Sequence, residues 1–304
     1  MTRLTSFLNC SSLTAISAPV FLGFALVHLT PIPAEVITRT VYVTVTDGKG
    51  APVADLTAAN FKVKEGGKER EVLKAEPAKA RPHMALMIEE RLTPDQQTRV
   101  GLFEFVKRLN GAAEISLITV GLRNTTVVPY LTDPNALLKA INELSLNPQP
   151  TSNLTEGIND IAKIFEQQRP ERPVIVVVGF SGGQAGGASA TSILNQLRQS
   201  AATFYAVTYG PPGTAGGSNL GTMGDESGRE QVLGDGAKQS GGRRTDVVTT
   251  GSIPRALLQV ADDLAAQYVV TYALPDGVKP DRRFSITTDR KGVSLRAPAG
   301  LPDK

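Results

Sequence analysis

The chain has 304 residues, 41% hydrophobic and 20% charged, ordinary values for a globular protein able to bury a core. Lys plus Arg number 32 and Asp plus Glu 29, a net charge of +3 with no long single-sign block, which argues against a nucleic-acid partner. One Cys, two His and no Trp argue against a disulfide framework and against a thiolate or multi-histidine metal centre. At about 150 residues per domain, the length suggests two domains.

The N-terminus reads as a secretory signal peptide over residues 1–34. Arg3 is its only charged residue, Leu13 to Leu29 forms an apolar run broken by Pro19, and Pro33-Ala34 supplies a small-residue end. The implied location is outside the cytoplasm, periplasmic or secreted, with membrane attachment only through a retained signal segment. Cys10 precedes the apolar run, unlike a lipoprotein acylation site. Cleavage would remove Cys10 and His28, leaving His83 alone.

Residues 35–80 read as a small β unit. Thr40 to Val45 alternates with period two, Asp47-Gly48 turns the chain, Phe61 to Lys64 alternates again, and Glu71-Val72-Leu73 supplies a return strand after Gly66-Gly67. Two hairpin-sized pieces need partners from elsewhere in the chain.

From residue 81 strands and helices alternate. Met84 to Ile88 is a continuous apolar run, the mark of a strand covered on both faces. Thr93 with Pro94 and Asp95 predicts a capped helix whose stripe is Leu102, Phe105, Val106 and Leu109. Strands follow at Ile115 to Val120 and Thr125 to Tyr130, and Asp133-Pro134 starts another helix. Leu154, Ile158, Ile161, Ala162 and Phe165 form one helical stripe, and Val174 to Val178 is the strongest buried strand. A helix near Ala190 to Ala201 and a strand at Thr203 to Thr208 come next. Pro211 to Arg244 holds ten of the 29 glycines and reads as a flexible insertion. A helix resumes at Leu257 to Ala265. Strands at Tyr268 to Tyr272, Phe284 to Thr287 and Val293 to Arg296, within residues 267–304, are natural partners for the N-terminal β unit. The pattern predicts an α/β fold: a doubly wound, mainly parallel sheet over residues 81–266, with a discontinuous β-sandwich-like unit built from both termini.

Ligands of such sheets bind at the carboxyl ends of the strands. There, Gly179-Phe180-Ser181-Gly182-Gly183 matches the G-x-S-x-G nucleophile elbow. That mechanism needs a general base, normally a His later in the chain, and none follows Ser181. The motif reads as a glycine-rich turn, with a serine hydrolase using Ser181 kept as the alternative function.

The other strand-end loop is Glu89-Glu90-Arg91-Leu92-Thr93. With Thr44 to Gly50, Leu56-Thr57, Asn60 to Val63, Gln267 to Tyr272 and Val293 to Arg296, it gives an ordering that resembles the von Willebrand factor type A domain. The form it resembles is that of exported, acidobacterial-type VWFA-related proteins, over about residues 36 to 298. The resemblance implies a Rossmann-like type A fold, no catalysis, and binding of a protein or cell-envelope component. The family's metal-ion-dependent adhesion site has D-x-S-x-S after the first strand, a later Thr, and an Asp after the fourth strand. Its oxygen ligands suit Mg²⁺, Mn²⁺ or Ca²⁺.

In this chain the Asp position is Glu89, the first Ser is Arg91 and the second is Thr93. The later Thr falls at Thr151 or Ser152, and the final Asp is replaced by Ser181. A permanent guanidinium at Arg91 and the loss of a carboxylate at Ser181 oppose a metal. The expectation is therefore a degenerate, metal-free site in which Arg91 pairs with Glu89 or Glu90, with no cofactor. Two readings of it stay open: Arg91 receives a partner's carboxylate, or the site is vestigial. A structural envelope protein without a discrete ligand is the remaining alternative.

Overall fold

A computed structural model describes residues 37–90, 96–145, 152–180, 182, 187–210 and 223–303, with the backbone alone at 223–226. The predicted signal segment therefore lies outside the described residues. All the described residues belong to one compact unit, Val36–Lys304.

A six-stranded sheet forms its centre. Strands β5 (His83–Glu89), β6 (Glu114–Val120), β8 (Pro173–Phe180), β9 (Thr203–Tyr209) and β10 (Arg243–Val247) are parallel, and β7 (Asn124–Leu131) runs antiparallel along one edge. The order is β10-β9-β8-β5-β6-β7. Alternate side chains of each central strand serve opposite faces. Met84, Leu86 and Ile88 meet helices α1 (Gln96–Leu109), α2 (Pro134–Glu143) and α6 (Ile253–Ala265). Ala85 and Met87 meet α3 (Leu154–Gln168), α4 (Ala190–Gln199) and α5 (Met223–Gln239). Both faces are covered, which is why β5 and β8 read as unbroken apolar runs. Full burial of each Val, Leu or Ile there contributes about 1.5–3 kcal/mol.

Helix starts follow the local chemistry. Asp133 caps α2 by accepting the Asn135 N–H at 2.9 Å, and Pro134 follows it at the first turn. The proposed cap at Thr93 lies outside the described residues.

The two chain ends meet in antiparallel sheets. β1 (Ile37–Asp47) pairs with β11 (Gln267–Leu274) on one side and β13 (Val293–Arg296) on the other, and β4 (Val72–Pro77) extends the sheet beyond β11. β2 (Phe61–Glu65) lies between β12 (Phe284–Thr288) and β3 (Lys68–Arg70). Val43, Phe61, Val63, Tyr268, Val270 and Ile286 close a shared core between these sheets. Neither end can bury its apolar face alone, so each completes the other.

One expectation fails. The glycine-rich segment read as a flexible insertion contains the 17-residue helix α5 and the start of β10. Glycine there permits close packing. A Cβ on Gly236 would lie 3.0 Å from Leu197 Cδ1 and 3.3 Å from Phe204 Cδ1, and one on Gly242 would lie 1.9 Å from the Phe204 carbonyl oxygen. Val232, Leu233 and Ala237 are fully buried, so a few apolar residues fix the helix where composition argued against it. Residues 211–222 lie outside the described residues.

Candidate functional site

Glu89 is the last residue of β5 and is fully buried. Four donors surround its carboxylate. Oε1 accepts from the Ser152 hydroxyl and from Arg229 Nη1 at 3.2 Å; Oε2 accepts from the Phe180 N–H at 2.6 Å and from Arg229 Nη2 at 2.8 Å. Arg229 Nη2 also donates to the Phe180 carbonyl oxygen. The guanidinium and the carboxylate are both 0% exposed. One ion pair thus joins the end of β5, the approach to α3, the end of β8, and α5.

Neighbouring contacts make room for it. A Cβ on Gly179 would lie 2.8 Å from Glu89 Oε2 and 3.3 Å from Leu154 Cδ2. The first glycine of the apparent nucleophile elbow is therefore explained by the space Glu89 occupies. The start of α3 is tied to the turn after β6: the Asn153 N–H donates to the Gly121 carbonyl at 2.8 Å, and its side-chain amide to that of Leu122 at 3.0 Å. Glu156 accepts the Ala188 N–H at 3.2 Å, linking α3 to the segment before α4. Phe180 packs edge-on against Tyr209, ring centroids 5.5 Å apart.

Of the sequence-predicted site residues, Glu89 and Ser152 come together as a hydrogen-bonded pair. Arg91, Thr93, Thr151 and Ser181 lie outside the described residues. The expected pairing of Arg91 with Glu89 or Glu90 falls outside the described residues; the guanidinium that meets Glu89 among them is that of Arg229, 140 positions away on α5. Nothing in the sequence around Arg229 marks it. The available signal lay at Glu89, a carboxylate ending a buried strand, which needs a cationic partner from somewhere.

The type A resemblance implies a divalent cation here, and the described residues around Glu89 do not fit one. Both Glu89 oxygens accept from N–H and O–H donors, and the fixed positive charge of Arg229 lies directly against them. Among the described residues, no three His, Cys, Asp or Glu side chains gather in one place.

The serine-hydrolase reading calls for a general base, normally a His, and Ser181 itself lies outside the described residues. His83 begins β5 at the opposite end of the sheet, about 20 Å from its last residue at roughly 3.3 Å per residue. There it bonds Glu114 at 2.7 Å and stacks on Tyr130 with centroids 3.8 Å apart. A cavity of about 770 Å³ also lies at that end, between β1, α4 and the C-terminal residues. Its lining includes Pro173 and Thr203, the first residues of β8 and β9, so the cavity is remote from the strand-end chemistry; its Arg39 and Arg198 are held by the carbonyls of Pro302 and Leu301.

Residues 95–235 match the family model of the von Willebrand factor type A domain. The chain contains a von Willebrand factor type A domain. The match begins after the loop carrying Glu89, Arg91 and Thr93 and ends inside α5. Solved structures similar to the chain include proximal thread matrix protein 1 from the mussel byssus, at 12% identity and TM-score 0.47, covering 62% of this chain and 49% of that one. The chain thus spans about half the length of that protein. Another is an aerotolerance-related membrane protein from Bacteroides fragilis, at 18% identity and TM-score 0.45, covering 60% and 99%. A third is a von Willebrand factor type A protein from Catenulispora acidiphila, at 8% identity and TM-score 0.45, covering 87% and 73%. No curated protein matches the chain. Among the described residues, no helix is long and apolar enough to cross a membrane.

Proposed function

We propose that this protein is an exported, non-enzymatic binding module that engages another protein or a cell-envelope component through the strand-end face of its type A domain, without a divalent cation. The type A domain is an interaction module, which supports the general class. The saturation of the Glu89 carboxylate by Ser152, Phe180 and Arg229 carries the metal-free reading. A site whose acidic ligand is already neutralised has no charge left to hold an ion between itself and a partner's carboxylate. The N-terminal signal pattern supports export. On this reading residues 35–80 and 267–304 form the β unit that flanks residues 81–266.

The proposed face includes the loop of Glu89, Arg91 and Thr93, residues 151–153, and Ser181 to Gly183. Leu122, 58% exposed in the turn after β6, stands beside it. The test is site-specific photo-crosslinking in cells from position 122, with Ile164 on α3, 39% exposed, as the control. Discrete adducts are expected from position 122 alone, unchanged by a chelator. Adducts that disappear with the chelator would overturn the metal-free reading, and equal labelling from both positions would overturn the choice of face.

A further inference from the structure

We propose that Arg229 is a built-in cation: a positioning residue whose guanidinium holds the strand-end face in the arrangement that a bound ion would otherwise impose. This rests on the reading of that face as the binding surface and adds how it is held.

Three observations converge on it. The first is connectivity. Arg229 reaches both Glu89 oxygens and the Phe180 carbonyl, and Glu89 in turn holds the Ser152 hydroxyl and the Phe180 N–H. One planar group of fixed charge therefore connects the ends of β5 and β8 and, through Glu89, the approach to α3, as a multivalent ion would. Guanidinium suits this because its N–H groups point in several in-plane directions at once, whereas an ammonium is a compact point charge.

The second is charge. The family pattern places a second carboxylate at the position that Ser181 holds here. One carboxylate balances a single guanidinium charge, whereas two are suited to a doubly charged ion. The single carboxylate of Glu89 and the single guanidinium of Arg229 are matched, and with both side chains 0% exposed such matching is required.

The third is the helix that carries the group. α5 contains Gly224, Gly228, Gly234 and Gly236, poor helix formers. Val232, Leu233 and Ala237 pack one end onto the sheet, while Arg229 lies nearer the other. The anchor therefore works both ways: α5 fixes the face, and the face fixes the first half of α5. Binding at this face would then be always enabled and indifferent to chelators.

The experiment is chemical rescue followed by thermal melting. Wild type is expected to melt at the same temperature in chelator and in millimolar Mg²⁺, Mn²⁺ or Ca²⁺. Arg229→Ala is expected to melt lower and to recover saturably with millimolar methylguanidinium, but not with tetramethylammonium at equal concentration. Adding Glu89→Gln to that variant is expected to abolish the recovery, which a merely space-filling role would not predict. If Arg229→Ala does not fold, Arg229→Lys is compared with Arg229→Met, and the charged variant is expected to melt higher. Saturable stabilisation of wild type by a divalent ion would overturn the proposal. So would wild-type melting of Arg229→Ala, rescue that is absent or equal with tetramethylammonium, or a Lys variant no better than Met. Loss of crosslinking from position 122 with rescue intact would instead sink the functional reading and leave this one standing.

Discussion

The Glu89 carboxylate and the Arg229 guanidinium meet at 2.8 Å with neither side chain exposed, 140 positions apart in the chain. Moving two charges out of water is costly, so the pair is held by completeness: remove one member and the other is left charged in the interior. Arg229→Met or Glu89→Leu alone should each lower stability by about 3–5 kcal/mol. The double variant should lose clearly less than the sum, because the uncompensated charge is gone. Urea unfolding of the four proteins measures this, and strict additivity would show that the two side chains do not act as a pair.

A second buried acid connects the α/β part to the terminal strands. Asp263 on α6 is 3% exposed and meets Arg243 of β10 at 2.9 Å and Arg296 of β13 at 2.5 Å. The first contact is a hydrogen bond, while the second is ionic without hydrogen-bond alignment. Both arginines are about a quarter exposed and can partly rehydrate, so Asp263→Ala should cost about 1–3 kcal/mol, less than loss of a sealed pair. β13 is an edge strand, and its amides should lose protection in hydrogen exchange first. Unchanged protection over Val293–Arg296 would contradict this role.

Glu65 makes the β unit acid-sensitive. Burial raises its pKa, but hydrogen bonds from the Tyr272 hydroxyl at 2.6 Å, the Asp281 N–H at 2.7 Å and Arg39 at 2.7 Å outweigh that, leaving it below the usual carboxylate range. A carboxyl with a depressed folded pKa contributes its full stability above the unfolded value, about 4.3, and loses it as pH falls through the folded value. Melting temperature should therefore drop below about pH 4.3 more steeply for wild type than for Glu65→Gln, which has no proton to bind there. Parallel curves for the two proteins would exclude Glu65 as a source of the acid loss.

The fold was largely legible because its signals are local. β5 and β8 are unbroken apolar runs, α2 begins with a cap and a proline, and the stripe of α3 repeats at helical spacing. The pairing of β1 with β11 and β13 followed from two β fragments each too small to stand alone. Among the described residues the site was legible at Glu89 and Ser152, since a strand end and a family pattern both pointed there. Arg229 was not, because pairing across 140 positions leaves no periodic trace, and its helix is disguised by glycine. The same composition that suggested looseness allows Gly236 to pack on Phe204.

That distinction between loose and closely packed glycine can be tested within one segment. Gly228 lies inside α5, and a Cβ there would meet nothing within 4 Å. In a formed helix, Gly228→Ala should stabilise the protein by about 0.5–1 kcal/mol, by limiting the freedom of the unfolded chain. In a flexible insertion the same change would do almost nothing. Gly242 is the opposite case: its Cβ would lie 1.9 Å from the Phe204 carbonyl oxygen and 2.7 Å from the carbonyl carbon. Both obstacles are backbone of β9, the strand that β10 pairs with, so relief requires displacing the pairing itself. Gly242→Ala should cost roughly 3 kcal/mol or more, the upper range for forced overpacking. Opposite signs for these two substitutions in thermal melts would establish that the segment is ordered on the sheet. Two near-zero effects would return it to a loop, and with it Arg229 would lose the rigid helix that delivers its charge to Glu89.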